Sequence, residues 1–159
     1  MSDADLERRL ERLEDIEAIR RLKWRYGLAA DQRSASRPNV ASMVALFTED
    51  AVWECNRYGR ALGREAIRTL LAQAPAGIEW SLHFLQDTNI DIASDRRSAR
   101  GRWYLLEAAR MTNPKNGKAE SVWISGIYDD EFVRTGERWL LSAMKLDIQK
   151  IVGETEVWD

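Results

Sequence analysis

The sequence predicts an α+β fold in which a curved antiparallel sheet covers helices on one face. In residues 4–31, Leu and Ile recur at three- and four-residue steps while Glu and Arg fill the opposite side, which is the period of an amphipathic helix. From Trp80 onward the chain changes to long β-like runs separated by short turns. Helices that precede a series of closely connected strands are typical of an antiparallel meander packed on helices.

Three helices are expected before the long strands. The first covers residues 4–31, and its highly charged start, residues 1–12, is an extension that projects from the domain or packs on a neighbouring subunit. Pro38 suits the first turn of a short second helix that runs to about Phe47. A third helix is expected near residues 63–73, where isoleucine and leucine form an apolar side.

The strands follow in two groups. Residues 48–50 are expected to break the chain before a short strand at 51–54, a turn at 56–59 and a returning strand at 60–62. Polar turns rich in Asn, Gly, Ser and Asp then separate the long strands. The long strands are expected at 80–93, 98–111, 119–134 and 138–150.

Length and charge limit the possible classes of protein. A chain of 159 residues fits one domain, residues 1–159, with a sizeable core. Its 24 Lys and Arg against 26 Asp and Glu leave a net charge of -2, and without a basic block nothing indicates nucleic acid or a membrane surface as a partner. The charged start and the lack of a long apolar stretch predict neither secretion nor a membrane span. We expect a cytoplasmic location.

Neither a cofactor nor a metal is expected. One cysteine, Cys55, excludes an intramolecular disulfide, and with a single histidine it argues against a zinc site. The sequence also lacks a glycine-rich phosphate loop, a nucleophile elbow and a dinucleotide fingerprint. These absences favour cofactor-independent chemistry on a small apolar organic substrate.

The single histidine, His83, is the leading catalytic candidate. Its imidazole is the one side chain here whose ordinary pKa suits proton transfer near neutral pH. A possible partner is Asp31, which follows the first helix, and Tyr26 lies about one turn earlier in the same helix. A carboxylate on one ring nitrogen would fix the tautomer and stabilise the imidazolium that forms during catalysis.

A second set of candidates comes from the strand at 98–111. By the period of two, Trp103, Leu105 and Glu107 share one face, which suits a pocket wall ending in one acid. Large aromatic and apolar side chains often wall pockets, and the chain has seven tryptophans. The candidate substrate-binding residues are Trp53, Trp103, Leu105 and Trp123.

Each of these residues also fits a structural role. His83 between two apolar neighbours could be a hydrogen-bonded core histidine, and Asp31 could simply end a helix or begin a turn. Tyr26 and the tryptophans fit a core, and Glu107 fits an exposed, paired charge. The combination of residues, rather than any one of them, favours a catalytic Asp-His pair.

Several motifs are distinctive, among them Leu-Phe-Thr-Glu-Asp-Ala-Val-Trp-Glu at 46–54 and Gly-Arg-Trp-Tyr at 101–104. Together with the order of elements, they resemble the SnoaL-like family of the nuclear transport factor 2-like superfamily. Within the family the chain is most similar to the bile acid 7α-dehydratase and hexachlorocyclohexane dehydrochlorinase types, and scytalone dehydratase is a more distant relative. The full set of matching segments is 15–26, Asp31, 46–54, 63–67, 81–83 and 101–104.

The resemblance implies a fold, a chemistry and a set of site residues. The fold is a cone, in which a bent antiparallel or mixed sheet wraps around helices and encloses an apolar pocket. In the similar enzymes, whose shared theme is elimination, a helix-end aspartate pairs with a strand histidine, and here Asp31 and His83 occupy those positions. The dehydratase type also uses a tyrosine five residues before the aspartate, Tyr26 here, and an acid after the Gly-Arg-Trp-Tyr motif. The chain departs from the pattern at that acid, with Glu107 where aspartate is expected.

Three functions follow as hypotheses. The first is a lyase that dehydrates a hydroxylated alicyclic or steroid-like carbonyl substrate, with His83 as base, Asp31 orienting it, Tyr26 bonding the oxygen that gains charge and Glu107 assisting the leaving group. The second is an isomerase or cyclase of the ketosteroid or polyketide kind. The third is a non-catalytic binding or assembly domain, like the structural subunits of ring-hydroxylating dioxygenases, which predicts that His83 and Asp31 are not in contact.

A homo-oligomer is expected, because the open faces and edges of such a sheet need covering. The similar dehydratases imply a trimer, and a dimer is the alternative. The tail, residues 153–158, could cover a neighbouring subunit or cap the pocket.

Overall fold

A computed structural model of the protein describes residues 2–31, 38–73, 77–154 and 157–158. Helices come first and long strands follow, which confirms the predicted α+β class. The elements are α1 (Asp3–Ala30), α2 (Val40–Val44), β1 (Phe47–Cys55), β2 (Gly59–Leu62), α3 (Arg64–Gln73), β3 (Ile78–Ile92), β4 (Ser98–Thr112), β5 (Ala119–Thr135), β6 (Arg138–Val152) and β7 (Val157–Trp158).

The strands of the described residues form one curved, open sheet in the order β2-β1-β6-β5-β4-β3, with β7 paired to β6. Strands β3 to β6 form the antiparallel meander that the sequence predicts. β1 pairs with β6 in parallel, so the sheet is mixed. The buried side of α1 packs against the inner face of this sheet, and the core lies between them.

The second helix is shorter than predicted. The expected helix from Pro38 to Phe47 is wrong at its end, because α2 ends at Val44 and Phe47 begins β1. Phe47 is fully buried and pairs with Leu141 of β6, so burial and strand pairing outweigh the local helical pattern. Residues 48–50, expected to break the chain, lie within β1 where its register with β6 shifts.

Some predicted features fall on parts of the chain that the structure does not describe. The polar connection after α1 includes residues 32–37, and the predicted end of the third helix includes residues 74–76, and both segments lie outside the described residues. The described end of the tail, β7, pairs with β6 of the same chain. A role of the tail in capping the pocket or covering a neighbour stays a prediction.

The buried carboxylate of Asp15 holds the first half of α1 against the sheet. Asp15 accepts hydrogen bonds from Arg96 Nε at 2.6 Å, Arg134 Nη1 at 2.8 Å and Trp139 Nε1 at 3.1 Å. Burial alone would raise the pKa of Asp15, but the bonds from Arg96 and Trp139 and the two positive charges hold it below its ordinary value. The helix is therefore fixed to the sheet by a carboxylate that stays ionised.

The start of α1 leaves this core. Leu6, Leu10 and Leu13 are exposed, so the first turns of the helix lack apolar partners within the described chain. None of the helices in the described part of the chain is long and apolar enough to cross a membrane.

Replacing Asp15 tests how strongly this network holds the helix. We expect Asp15→Asn to lower the free energy of unfolding by about 1–3 kcal/mol, because the two guanidinium groups lose their charged acceptor. Urea unfolding followed by circular dichroism measures the change. The neighbouring exposed Glu14→Gln serves as the control and should leave the midpoint unchanged. Equal midpoints for both variants and the wild type would contradict the role of Asp15.

Candidate active site

His83 and Glu107 lie opposite each other on neighbouring strands. The antiparallel register of β3 and β4 pairs the two residues directly, and both side chains line a cavity on the concave side of the sheet. Direct cross-strand partners have neighbouring Cβ atoms, so their side chains meet. His83 Nε2 lies 3.5 Å from Glu107 Oε2. The pairing of β3 with β4 thus brings together two residues that the sequence marks as separate catalytic candidates.

Asp31 approaches the other side of the imidazole. It caps α1 at its C-terminal end, and its backbone N–H donates to the carbonyl of Gly27 at 3.0 Å. Its Oδ1 accepts the backbone N–H of His83 at 2.8 Å and lies 3.1 Å from Nδ1 of the ring. β3 is an edge strand, so this carboxylate also satisfies an N–H that the sheet leaves unpaired. An Nδ1–H that donates to Asp31 leaves Nε2 to face Glu107 and the cavity.

Gly27 allows the helix to come this close to the strand. A Cβ atom at this position would lie 2.9 Å from Leu85 Cδ1 and 3.9 Å from the Cβ of His83. A side chain here would require the end of Leu85 to shift. The absence of a Cβ at position 27 thus leaves room for Leu85 one turn before Asp31.

Burial and neighbouring charges act in opposite directions on the pKa values of His83 and Glu107. Burial alone would lower the pKa of His83, but the charge of Glu107 and the hydrogen bond and charge of Asp31 together raise it above its ordinary value. Burial raises the pKa of Glu107, although the neighbouring imidazole opposes this. The site therefore holds two neighbouring titratable groups whose pKa values are both raised.

The cavity beside this pair has a volume of about 80 Å³ and largely apolar walls. Asp31 stands behind His83 and is not part of the wall, whereas His83, Glu107 and Ser81 are. The apolar walls favour an organic ligand and strengthen hydrogen bonds made inside. The other lining residues are Tyr26, Ala30, Pro38, Met43, Trp53, Tyr58, Leu71, Ile78, Ile124, Tyr128, Leu146 and Ile148.

Tyr26 lies on the cavity wall with its hydroxyl oriented by a neighbour. Its oxygen accepts a hydrogen bond from Trp53 Nε1 at 3.1 Å, which leaves its own proton available to a ligand. Burial raises the pKa of Tyr26 far above its ordinary value, so the hydroxyl stays neutral and remains a donor. Trp53, a predicted substrate-binding residue, thus both lines the cavity and orients Tyr26.

The structure does not bring the other three predicted substrate-binding residues to the wall. Trp103 and Leu105 are buried in the core behind it, and the Trp103 ring packs edge-on against Phe132 at 5.7 Å between ring centres. Trp123 lies on the outer face of β5 and is 54% exposed, because the alternation of that strand turns Ile124 inward instead.

Two tyrosines on the wall were not predicted from the sequence. Tyr58 lies in the turn between β1 and β2, and Tyr128 shares the inner face of β5 with Ile124. Burial raises the pKa of Tyr58 to about 12 and that of Tyr128 well above its ordinary value. Neither hydroxyl is hydrogen-bonded to another residue in the described part of the chain. The period of two on β5 could have indicated Tyr128, whereas nothing in the local pattern marks Tyr58.

In the described chain, no three His, Cys, Asp or Glu side chains are grouped so that they could hold a metal ion.

The family model of the SnoaL-like domain matches residues 11–145. The chain belongs to the SnoaL-like family. This confirms the resemblance that the sequence motifs indicate, and with it the superfamily of nuclear transport factor 2-like folds. Comparison with curated protein sequences gave no match.

Solved structures share the fold of this SnoaL-like chain. A hexachlorocyclohexane dehydrochlorinase, LinA type 2, is 18% identical with a TM-score of 0.77, and the match covers 91% of each chain. A Novosphingobium aromaticivorans protein assigned as a scytalone dehydratase is 22% identical with a TM-score of 0.74, covering 88% of this chain and 87% of that one. Another protein from that organism, assigned as an aromatic ring hydroxylase, is 26% identical with a TM-score of 0.71, covering 89% and 94%.

Titration of His83 tests the electrostatics of the site. Because the chain has one histidine, its imidazole signals in an NMR titration need no assignment. We expect the pKa of His83 to lie above its ordinary value and to fall in Glu107→Gln, since that variant removes a negative charge beside Nε2. Glu79→Gln, on the exposed outer side of β3, should leave the titration unchanged. An unchanged pKa in Glu107→Gln would contradict the contact.

Proposed function

We propose that the protein is a cofactor-independent lyase, a dehydratase that removes water from a hydroxylated alicyclic substrate with a nearby carbonyl group. The observation that carries the proposal is the chain of contacts from Asp31 to His83 to Glu107 at an apolar cavity. Elimination beside a carbonyl requires a base near pKa 7 and an acid for the departing hydroxyl. His83 and Glu107, the proposed base and acid, lie 3.5 Å apart.

In the proposed reaction, protons move between the substrate, His83 and Glu107. His83 Nε2 accepts the proton from the carbon beside the carbonyl, while Asp31 stabilises the imidazolium through Nδ1–H. Tyr26 donates a hydrogen bond to the carbonyl oxygen as it gains negative charge. As the C–O bond breaks, protonated Glu107 gives its proton to the hydroxyl, which leaves as water. The proton on His83 then returns to Glu107 across their contact, and the site is reset.

The contact of Asp31 with His83 supports an enzyme over a binding or assembly domain. The non-catalytic hypothesis requires these residues to be apart, and they lie 3.1 Å from each other. Two solved structures with the same fold also carry the names of eliminating enzymes, a dehydrochlorinase and a dehydratase. The same pair of residues could instead return the proton to another carbon, as an isomerase or cyclase does, and the mass of the product separates the two reactions.

The size of the cavity favours a small substrate over a steroid. Its volume of about 80 Å³ is smaller than the roughly 150 Å³ of an engineered protein cavity that holds benzene. A single ring already requires the walls to move slightly, and a fused four-ring substrate would require much more. We therefore propose a substrate with one ring.

Replacing the base tests the proposed function. A panel of monocyclic β-hydroxy ketones would be screened for the ultraviolet absorption of the enone and for loss of one water by mass spectrometry. We expect His83→Ala to lower kcat about 100-fold to 10,000-fold on the substrate that the wild type converts. Gln86→Ala, on the exposed outer side of β3, is the matched control and should keep full activity. Full activity in His83→Ala would remove the proposal, and a product of unchanged mass would point to an isomerase.

We also propose that the protein forms a homo-oligomer through the outer face of the sheet, with a trimer favoured. Side chains that are half-exposed there lie side by side across strands, as the register of Phe84 with Leu106 illustrates. A continuous apolar face of this kind is typical of an interface. Its large members are Phe84, Tyr104, Leu106, Trp123 and Val152.

A charge placed on the outer face tests the oligomer. We expect Leu106→Glu to convert the oligomer to monomers, because it puts a carboxylate in the middle of the apolar face, and sedimentation velocity measures the mass directly. Leu62→Glu is a matched control, since Leu62 is also exposed but lies on β2 away from this face. A wild type that sediments as a monomer, or an oligomer that persists in Leu106→Glu, would overturn the proposal.

A further inference from the structure

Lys23 is buried beneath the cavity and takes no part in the proposed proton transfers. Lys23 Nζ lies 2.7 Å from Asp130 Oδ2, and the side chains of both residues are almost completely buried. The same ammonium lies 3.4 Å from the centre of the Tyr128 ring, 5.3 Å from that of Trp103 and 5.4 Å from that of Tyr26. Three aromatic rings and one carboxylate thus surround a single amine.

The contacts of Lys23 oppose the cost of burying its charge. Burial lowers the pKa of Lys23, and the charge and hydrogen bond of Asp130 act in the opposite direction. Burial also raises the pKa of Asp130, which stands at about 6 with Lys23 opposing the rise. Aromatic ring faces attract a cation and offer nothing comparable to a neutral amine. The 2.7 Å contact is also typical of a charge-assisted hydrogen bond. The geometry of the contact is therefore that of an ammonium and a carboxylate.

Stability alone does not account for such a pair. Apolar side chains of similar volume would stabilise a core as well as a buried ion pair does, or better. One carboxylate oxygen, Asp130 Oδ1, also has no hydrogen-bond partner among the described residues. The arrangement leaves Asp130 incompletely satisfied and keeps a positive charge against the ring of Tyr128.

Two of the rings around the ammonium belong to the cavity wall. Tyr128 and Tyr26 both line it, and each keeps its hydroxyl proton available, since Tyr128 bonds no described residue and Tyr26 only accepts from Trp53. A cation against the face of a phenol draws electron density from the ring and makes the O–H a stronger hydrogen-bond donor.

We propose that Tyr128, together with Tyr26, hydrogen-bonds the substrate oxygen that gains negative charge, and that Lys23 strengthens this bond by lying under the Tyr128 ring. This inference rests on the proposed elimination and specifies its substrate class, a compound whose proton loss places charge on an oxygen. Tyr128 would be a catalytic residue, and Lys23 a positioning residue that acts through it. Asp130 holds the ammonium in place.

A double-mutant cycle on kcat separates this role from a structural one. Tyr128→Phe should lower kcat about 100-fold, as the loss of one donor to a developing oxyanion does. The paired variant Lys23→Met with Asp130→Asn removes the cation without leaving a buried charge alone, and it should lower kcat about tenfold, a smaller effect than loss of the donor itself. In the Tyr128→Phe background the paired change should have a clearly smaller effect, because only the influence of Lys23 on His83 remains. Equal losses in both backgrounds, or no loss, would overturn the role of Lys23.

A binding experiment tests the inference without the natural substrate. The probe is 4-nitrophenolate, an oxygen anion of one ring, and nitrobenzene is its neutral match. The wild type should prefer the anion, Tyr128→Phe should lose this preference, and the Lys23 and Asp130 double variant should reduce it. No preference for the anion in the wild type overturns the inference. The proposed elimination fails separately, if His83→Ala keeps full activity.

Discussion

The carboxylate of Asp31 connects the two parts of the molecule on which the site depends. Through one oxygen it binds both the backbone and the ring of His83, so the end of α1 and the edge strand β3 are held at a fixed distance. Gly27 permits that distance, because any larger residue would meet Leu85. The curvature of the sheet then carries Glu107 and Tyr128 around the helix, and the space left between helix and sheet becomes the cavity.

Two groups of charged residues act on the pKa of His83 in opposite directions. Asp31 and Glu107 favour the imidazolium form of His83, whereas burial and the more distant charge of Lys23 oppose it. A base surrounded by carboxylates alone would stay protonated and could not accept a further proton. The ammonium of Lys23 thus acts against a higher pKa of His83, and it lies against the ring of Tyr128, which lines the cavity.

Patterns that depend on local periodicity were predictable, and contacts between distant parts of the chain were not. The helix at 4–31 and the long strands are confirmed almost to their ends, because their periods of 3.6 and 2 record which side is buried. The pairing of Asp31 with His83 was indicated by chemistry and by the family motif. Phe47 was misplaced because parallel pairing with β6 decides its conformation.

The same limit explains what sequence reasoning missed or misplaced in the site. Lys23 and Asp130 are 107 positions apart, and no local pattern links them. Trp123 was taken for a wall residue because of its type, although the alternation around Ile124 points it outward. Tyr58 lies in a turn, where side-chain direction follows no period.

The fold does not determine which group leaves in the proposed elimination. The residues at the site bear on that choice. Chloride is a very weak base and departs without a proton, whereas hydroxide is strongly basic and requires a general acid. Glu107 suits that requirement, because burial raises its pKa and its register places it beside the base that must later return the proton. A carboxyl group that merely stayed ionised there would repel a departing anion of either kind. The contact of Glu107 with His83 therefore supports the proposed loss of water rather than of halide, even though the fold is shared with a dehydrochlorinase.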